Sequence, residues 1–174
     1  MYNPDSIQYR RERGLLNFIE QMGVLIQEVV GKKVGHYFLP AFAGVAFSHN
    51  LLRWSPRVTR EGGLVRMVMG LGTRAVDRVN DDYPVFFSPG HPELQINQTP
   101  DYIRRYSSKY IDLINLEDSR FETVDAAAFL REVGGQFPEL YKYVSVCNDD
   151  LIERKNVFTL NPLKDNMMIA LIIS

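Results

Sequence analysis

Six arginines fall between residues 53 and 78 (Arg53, Arg57, Arg60, Arg66, Arg74 and Arg78), against only Glu61 and Asp77. Inside that run the apolar stretch Leu64–Met69, interrupted by Arg66, meets Gly70-Leu71-Gly72 and continues into Thr73-Arg74-Ala75-Val76-Asp77-Arg78. A strand that feeds a glycine turn lets backbone N–H groups come close to an anion, because glycine has no Cβ and tolerates positive φ. The guanidinium groups nearby would add charge, and the chemistry that results is polyphosphate binding. Arg66, Gly70, Gly72, Arg74 and Arg78 are therefore the candidate ligand-binding residues. The same pattern also fits a tight turn between two core segments with a solvated basic face, and two glycines do not decide between the readings.

Composition narrows the surroundings. The 174 residues suit one domain with a sizeable core. A formal net charge of −1 gives no global field toward nucleic acid or an anionic membrane, so neither is expected as a partner. The one cysteine, Cys147, excludes an internal disulfide and fits a reducing compartment. His36, His49 and His91 are scattered without zinc-ligand spacing. The polar start, Met1 to Arg13, does not read as a secretory signal. The apolar run at Met167–Ile173 is too short to span a bilayer, and a cytoplasmic protein is expected.

The elements that must position these residues follow from periodicity and turn chemistry. Ser6–Gln21 reads as a helix capped by Asp5 or Ser6, and Met22–Val30 as a buried strand. Ala41–Ser48 is a strand rich in small residues, against which something packs closely. The polar loop Asn50–Gly63 carries Trp54, read as a loop anchor rather than a contact surface. Strands follow at Leu64–Met69 and Pro84–Ser88, with a short edge strand at Leu94–Asn97. Thr99 caps a helical turn at Pro100–Tyr106, and Tyr110–Leu116 and Arg120–Val124 form a hairpin around Asp118-Ser119. Asp125 caps a helix to Val133 that Gly134-Gly135 ends, and Tyr141–Cys147 alternates as a strand. Met167–Ser174 reads as a core strand with no exit loop, which suggests a fragment of a longer polypeptide. The expected class is α+β: a mixed, mainly antiparallel sheet with flanking helices.

Three segments carry a resemblance to a known family. Met22–Val30, with Gln27 before Val29-Val30, looks like a strand of the phosphoenolpyruvate synthase and pyruvate phosphate dikinase family, in its PEP/pyruvate-binding (ATP-grasp) domain. Ala43-Gly44-Val45-Ala46-Phe47-Ser48 resembles that family's next strand, and Gly70-Leu71-Gly72 with Asp82-Tyr83 resembles its glycine turn and following acidic element. Order and spacing agree over residues 22–88, whereas residues 99–174 carry no pattern of that family. The resemblance implies the second half of an ATP-grasp domain over residues 1–98, followed by an α+β extension over 99–174. It implies ATP and Mg²⁺ as cofactors and an ATP-dependent phosphotransferase as the intact parent, whose remaining domains would be partners. This chain alone is then expected to be inactive. By the same resemblance Gln27 and Val29 hold adenine through backbone groups.

The metal ligands do not carry over. Arg66 stands where the family places an acid, Thr73 replaces the acid after the turn, and Asn50 replaces the aspartate after the second strand. Mg²⁺ requires hard anionic oxygens, and an arginine repels it. Asp77 is the remaining candidate metal ligand. The alternative is a non-catalytic module that binds a nucleotide or small anion through Arg66, Arg74 and Arg78, or a purely structural domain.

Overall fold

The computed structural model describes residues 3–18, 21, 23–77, 82–94, 96, 99–137, 142, 144–148, 151–153 and 167–168. In chain order the elements are α1 (Pro4–Glu12), β1 (Lys32–Val34), β2 (Tyr37–Leu39), β3 (Phe42–Phe47), β4 (Leu64–Met69), α2 (Thr73–Val76) and β5 (Val85–Phe87). They continue with α3 (Pro100–Arg105), β6 (Tyr110–Asn115), β7 (Arg120–Asp125), α4 (Ala126–Val133), β8 (Ser145–Asn148), β9 (Leu151–Glu153) and β10 (Met167–Met168). Among the described residues the strands form three antiparallel sheets, in the orders β1-β2-β6-β7, β3-β4-β5 and β10-β8-β9. The α+β class expected from the sequence is the one observed.

The β6–β7 hairpin anchors the first sheet. Asn115 Oδ1 accepts from the Glu117 and Asp118 N–H groups, and Ser119 takes the left-handed conformation (φ 51°) that closes the turn. Register then runs from Tyr110 opposite Asp125 to Asn115 opposite Arg120. Asp125 Oδ1 caps α4 by accepting from Ala128 N–H at 2.8 Å. The helix buries Ala126, Phe129, Leu130 and Val133, one stripe at helical spacing. That stripe, with Val34, Tyr37, Leu39, Met69, Ile111, Leu113, Phe137, Val144 and Val146, makes the core. Because β2 pairs with β6, this sheet draws strands from both sides of residue 98.

The second sheet holds β3 and β4 in full register, from Phe42 opposite Met69 to Phe47 opposite Leu64. A Cβ on Gly44 would collide with the Arg66 carbonyl, so the small residues of β3 let the β4 backbone approach. Trp54 is the anchor expected: its Nε1–H donates to the Leu94 carbonyl at 2.8 Å. Thr99 caps α3 as read from the sequence.

Several expectations are corrected. Met22–Val30 is not a buried strand: Gly23–Gly31 forms neither strand, helix nor turn, and Val24, Leu25, Ile26, Val29 and Val30 are exposed. A strand exists only through a paired neighbour, and no described strand lies beside this one. The first helix ends at Glu12 rather than Gln21, with Asn3 as cap, and Gly14 at φ 67° stops it. It buries no residue. Leu94 and Ile96 are not in a strand, since the Leu94 N–H turns back to His91. Met22, Tyr141, Tyr143 and residues 169–174 lie outside the described residues. No helix among the described residues is long and apolar enough to cross a membrane.

Candidate functional site

Gly70 adopts φ 79°, and a Cβ there would run into the Asp112 carbonyl and the Ile111 side chain. The Leu71 N–H donates to that same carbonyl at 2.8 Å. The glycine turn therefore seats on the β6 backbone, and the Leu71 N–H is used internally rather than held out toward an anion. On the far side of the turn, Gly72 packs against Ala43, where a Cβ would lie 3.3 Å from the alanine methyl.

The side chains that follow the turn converge on one carboxylate. Thr73 Oγ1 donates to Asp112 Oδ2, Arg74 Nε donates to Asp112 Oδ1 at 3.0 Å, and Thr123 Oγ1 donates to the same oxygen at 2.7 Å. Arg74 also reaches Asp82 Oδ2 at 3.5 Å, and its guanidinium lies over the Tyr110 ring at 5.2 Å. Asp82 in turn accepts from the backbone N–H groups of Lys109 (2.8 Å), Tyr83 (3.1 Å) and Tyr110 (3.2 Å). The three ionic side chains are 11% (Arg74), 2% (Asp82) and 5% (Asp112) exposed, so the network is almost fully withdrawn from water. Ions buried this far are stable only when each partner is present. Arg74, read from sequence as an anion ligand, has its charge offset by two carboxylates.

Arg66 is placed differently. It sits at the middle of the second sheet in a row with Val45 on β3 and Phe86 on β5. Gly70 lies four residue steps further along the chain, about 13 Å at the rise of a β-strand. Its guanidinium lies 5.5 Å from the centre of the Phe86 ring. Its Nε is buried without a hydrogen-bond partner, and no carboxylate pairs with it among the described residues. A donor left unsatisfied in a half-buried position favours an anionic acceptor. The residues present leave Arg66 Nε short of an acceptor oxygen.

They do not suit Mg²⁺. Asp77 is exposed at the end of α2, where its N–H donates to the Thr73 carbonyl at 2.9 Å. The described residues hold no group of three or more His, Cys, Asp or Glu side chains able to share a metal ion. The two carboxylates nearest the turn are already committed to Arg74 and to backbone donors. Asn50 is fully buried, its Oδ1 accepting from the Leu52 N–H at 2.8 Å while Nδ2 has no partner.

Gln27 and Val29 lie on the exposed Gly23–Gly31 segment, and neither makes a hydrogen bond among the described residues. Arg78 lies outside the described residues. Gly70 and Arg74 are thus brought together on β6, with Gly72 against β3 and Arg66 further back along β4. Sequence reasoning missed Asp112 as the organiser of the turn. The available signal was a lone charge inside the apolar strand Tyr110–Asn115.

The chain matches the family model of the pyruvate phosphate dikinase AMP/ATP-binding domain over residues 1–135. The match runs past residue 98 through β6, β7 and α4, where no family pattern was read from the sequence. No curated protein and no solved structure matches the chain. A match over most of its length makes this chain a member of the pyruvate phosphate dikinase AMP/ATP-binding domain family.

Proposed function

We propose that the chain supplies part of an adenine-nucleotide site in an ATP-dependent phosphotransferase of ATP-grasp type resembling phosphoenolpyruvate synthase, and that Arg66 is its phosphate contact. The observation that carries this reading is the partnerless Arg66 Nε beside Phe86, in a chain of an AMP/ATP-binding family. A planar guanidinium presents paired donors that match phosphate oxygens. The exposed backbone of Gln27 and Val29 could meet the adenine edge, which offers a donor and an acceptor side by side. The nucleotide-binding unit would extend through α4 rather than stop at residue 98, because β2 needs β6 as its neighbour.

A second reading is favoured by Arg66 itself, which stands at the family's acidic position: a module that holds the nucleotide's phosphates without a metal and performs no transfer. Calorimetry with ATP, in Mg²⁺ and in a chelator, distinguishes the two. If transfer chemistry operates in the parent with Arg66 as a phosphate contact, wild-type binding requires Mg²⁺ and Arg66→Glu weakens it. If Arg66 holds the phosphates directly, wild-type binding is insensitive to Mg²⁺ and Arg66→Glu abolishes it. A chain that releases no heat with ATP under either condition, alone or joined to its remaining domains, contradicts both.

A further inference from the structure

We propose that Thr59, His91 and Glu93 form an acyl-transfer site, with Thr59 as nucleophile and a carboxylic ester as acyl donor. Glu93 Oε1 lies 3.9 Å from His91 Nδ1, and His91 Nε2 lies 3.4 Å from Thr59 Oγ1. A neutral imidazole has one N–H and one bare nitrogen. With the carboxylate facing Nδ1, the proton belongs there, and Nε2 accepts from the threonine hydroxyl. Carboxylate, imidazole and hydroxyl thus stand in the order that nucleophilic catalysis uses. Such contacts are commonly long before substrate binds and tighten in its complex.

The fold brings these side chains together from two loops, with Thr59 and His91 32 residues apart. Thr59 precedes β4 and His91 follows β5; because Val65 pairs with Phe87, both loops leave the same end of the sheet. The Gly62 carbonyl accepts from the Gly90 N–H at 2.9 Å and from Ser88 Oγ at 3.0 Å. His91 N–H returns to the Ser88 carbonyl at 3.0 Å, and Trp54 holds the Leu94 carbonyl at the end of the same turn. A Cβ on Gly62 would lie 3.2 Å from His91 Cδ2 and 3.3 Å from Thr59 Oγ1, so glycine leaves room for ring and hydroxyl to meet. Backbone groups, Ser88 and Trp54 make this latch, and the Thr59, His91 and Glu93 side chains are not needed for it. The Thr59 hydroxyl is exposed and does not cap the short turn Arg60–Gly62 that follows it. Arg57 Nη2, 3.9 Å from the same Glu93 oxygen, adds a cation beside the site.

In the reaction His91 Nε2 takes the Thr59 hydroxyl proton as Oγ1 bonds to the ester carbonyl carbon. Collapse of the tetrahedral adduct breaks the bond to the alcohol oxygen, which leaves with the proton from Nε2. Water, deprotonated in turn by His91, then attacks the acyl-threonine and releases the carboxylic acid and free Thr59. Glu93 is a positioning residue that holds the imidazole with its proton on Nδ1.

The test treats the 174-residue chain with p-nitrophenyl acetate in the absence of nucleotide, so its outcome is separate from the ATP-binding reading. After acid quenching, peptide mass spectrometry should find an acetyl group on Thr59, and Thr59→Ser should also carry it. Thr59→Val, nearly equal in size, should lose the label with unchanged circular dichroism. His91→Gln should slow labelling at least about 100-fold, the lower range for a general base. Glu93→Gln, which touches no reacting atom, should slow it by a smaller factor. Absence of acetyl from Thr59 in the wild type, or labelling of His91→Gln at the wild-type rate, overturns the proposal.

Discussion

Arg74 Nε lies 3.0 Å from Asp112 Oδ1, joining the helical turn after Gly72 to the middle of a strand 38 residues further on. This pair converts what looks in sequence like free positive charge beside a glycine turn into an internal tie. Asp82 completes the arrangement, so one buried cation is shared by two carboxylates that are themselves held by hydroxyl and backbone donors.

Removing the shared acceptor should be costly. Asp112→Ala strips partners from Thr73, Arg74 and Thr123 together and leaves Arg74 with the longer Asp82 contact alone. The expected loss is about 3–5 kcal/mol, the range for breaking a buried ion pair from one side. Thr123→Val removes a single hydrogen bond and should cost about 1 kcal/mol. Urea unfolding of both variants checks the ratio, and equal midpoints would show that Asp112 is not the organising residue.

Gly70→Ala should be destabilising although the change adds only a methyl group. Its φ of 79° strains any L-residue, and the new Cβ meets the Asp112 carbonyl. Backbone strain of this kind costs about 1–3 kcal/mol before the clash is counted. Denaturant titration should show the loss, and a wild-type midpoint would mean that the turn does not seat on β6 as described.

Much of this fold is legible in the sequence where the signal is local. The β6–β7 hairpin, the Asp125 and Thr99 caps and the β3–β4–β5 strands follow from turn residues, alternation and cap chemistry. The misreadings come where a partner decides. Val24–Val30 has the composition of a buried strand, yet burial depends on a neighbour that residue type cannot reveal. Arg74 and Arg66 look alike in sequence, and only the distant Asp112 makes one internal and leaves the other with an open donor. The residues after Thr99 carried no recognisable family pattern, yet they supply Asp112, Thr123 and the core stripe of α4.

Tyr37 gives the protein an alkaline sensitivity. Burial, followed by the charges of Glu132, Glu122 and Glu117, pushes its phenol above the ordinary value. A raised acid pKa in the folded state means that the proton is held more tightly there than in the unfolded chain. Its contribution is therefore complete below about pH 10 and is lost as pH rises through the folded value. Tyr37→Phe should flatten the fall in unfolding free energy above pH 10 while keeping the ring's packing 5.6 Å from Phe129. An unchanged alkaline slope would assign that fall to other groups.

The most direct measurement is the heat of ATP binding to the wild-type chain and to Arg66→Ala. If Arg66 takes the phosphates, the wild type binds and Arg66→Ala loses at least about tenfold in affinity, as expected for a charged hydrogen-bonding contact of 1.5–3 kcal/mol. Arg74→Lys, which keeps the buried charge, changes ATP affinity far less. Wild-type affinity in Arg66→Ala, with ATP bound, would remove Arg66 from the site.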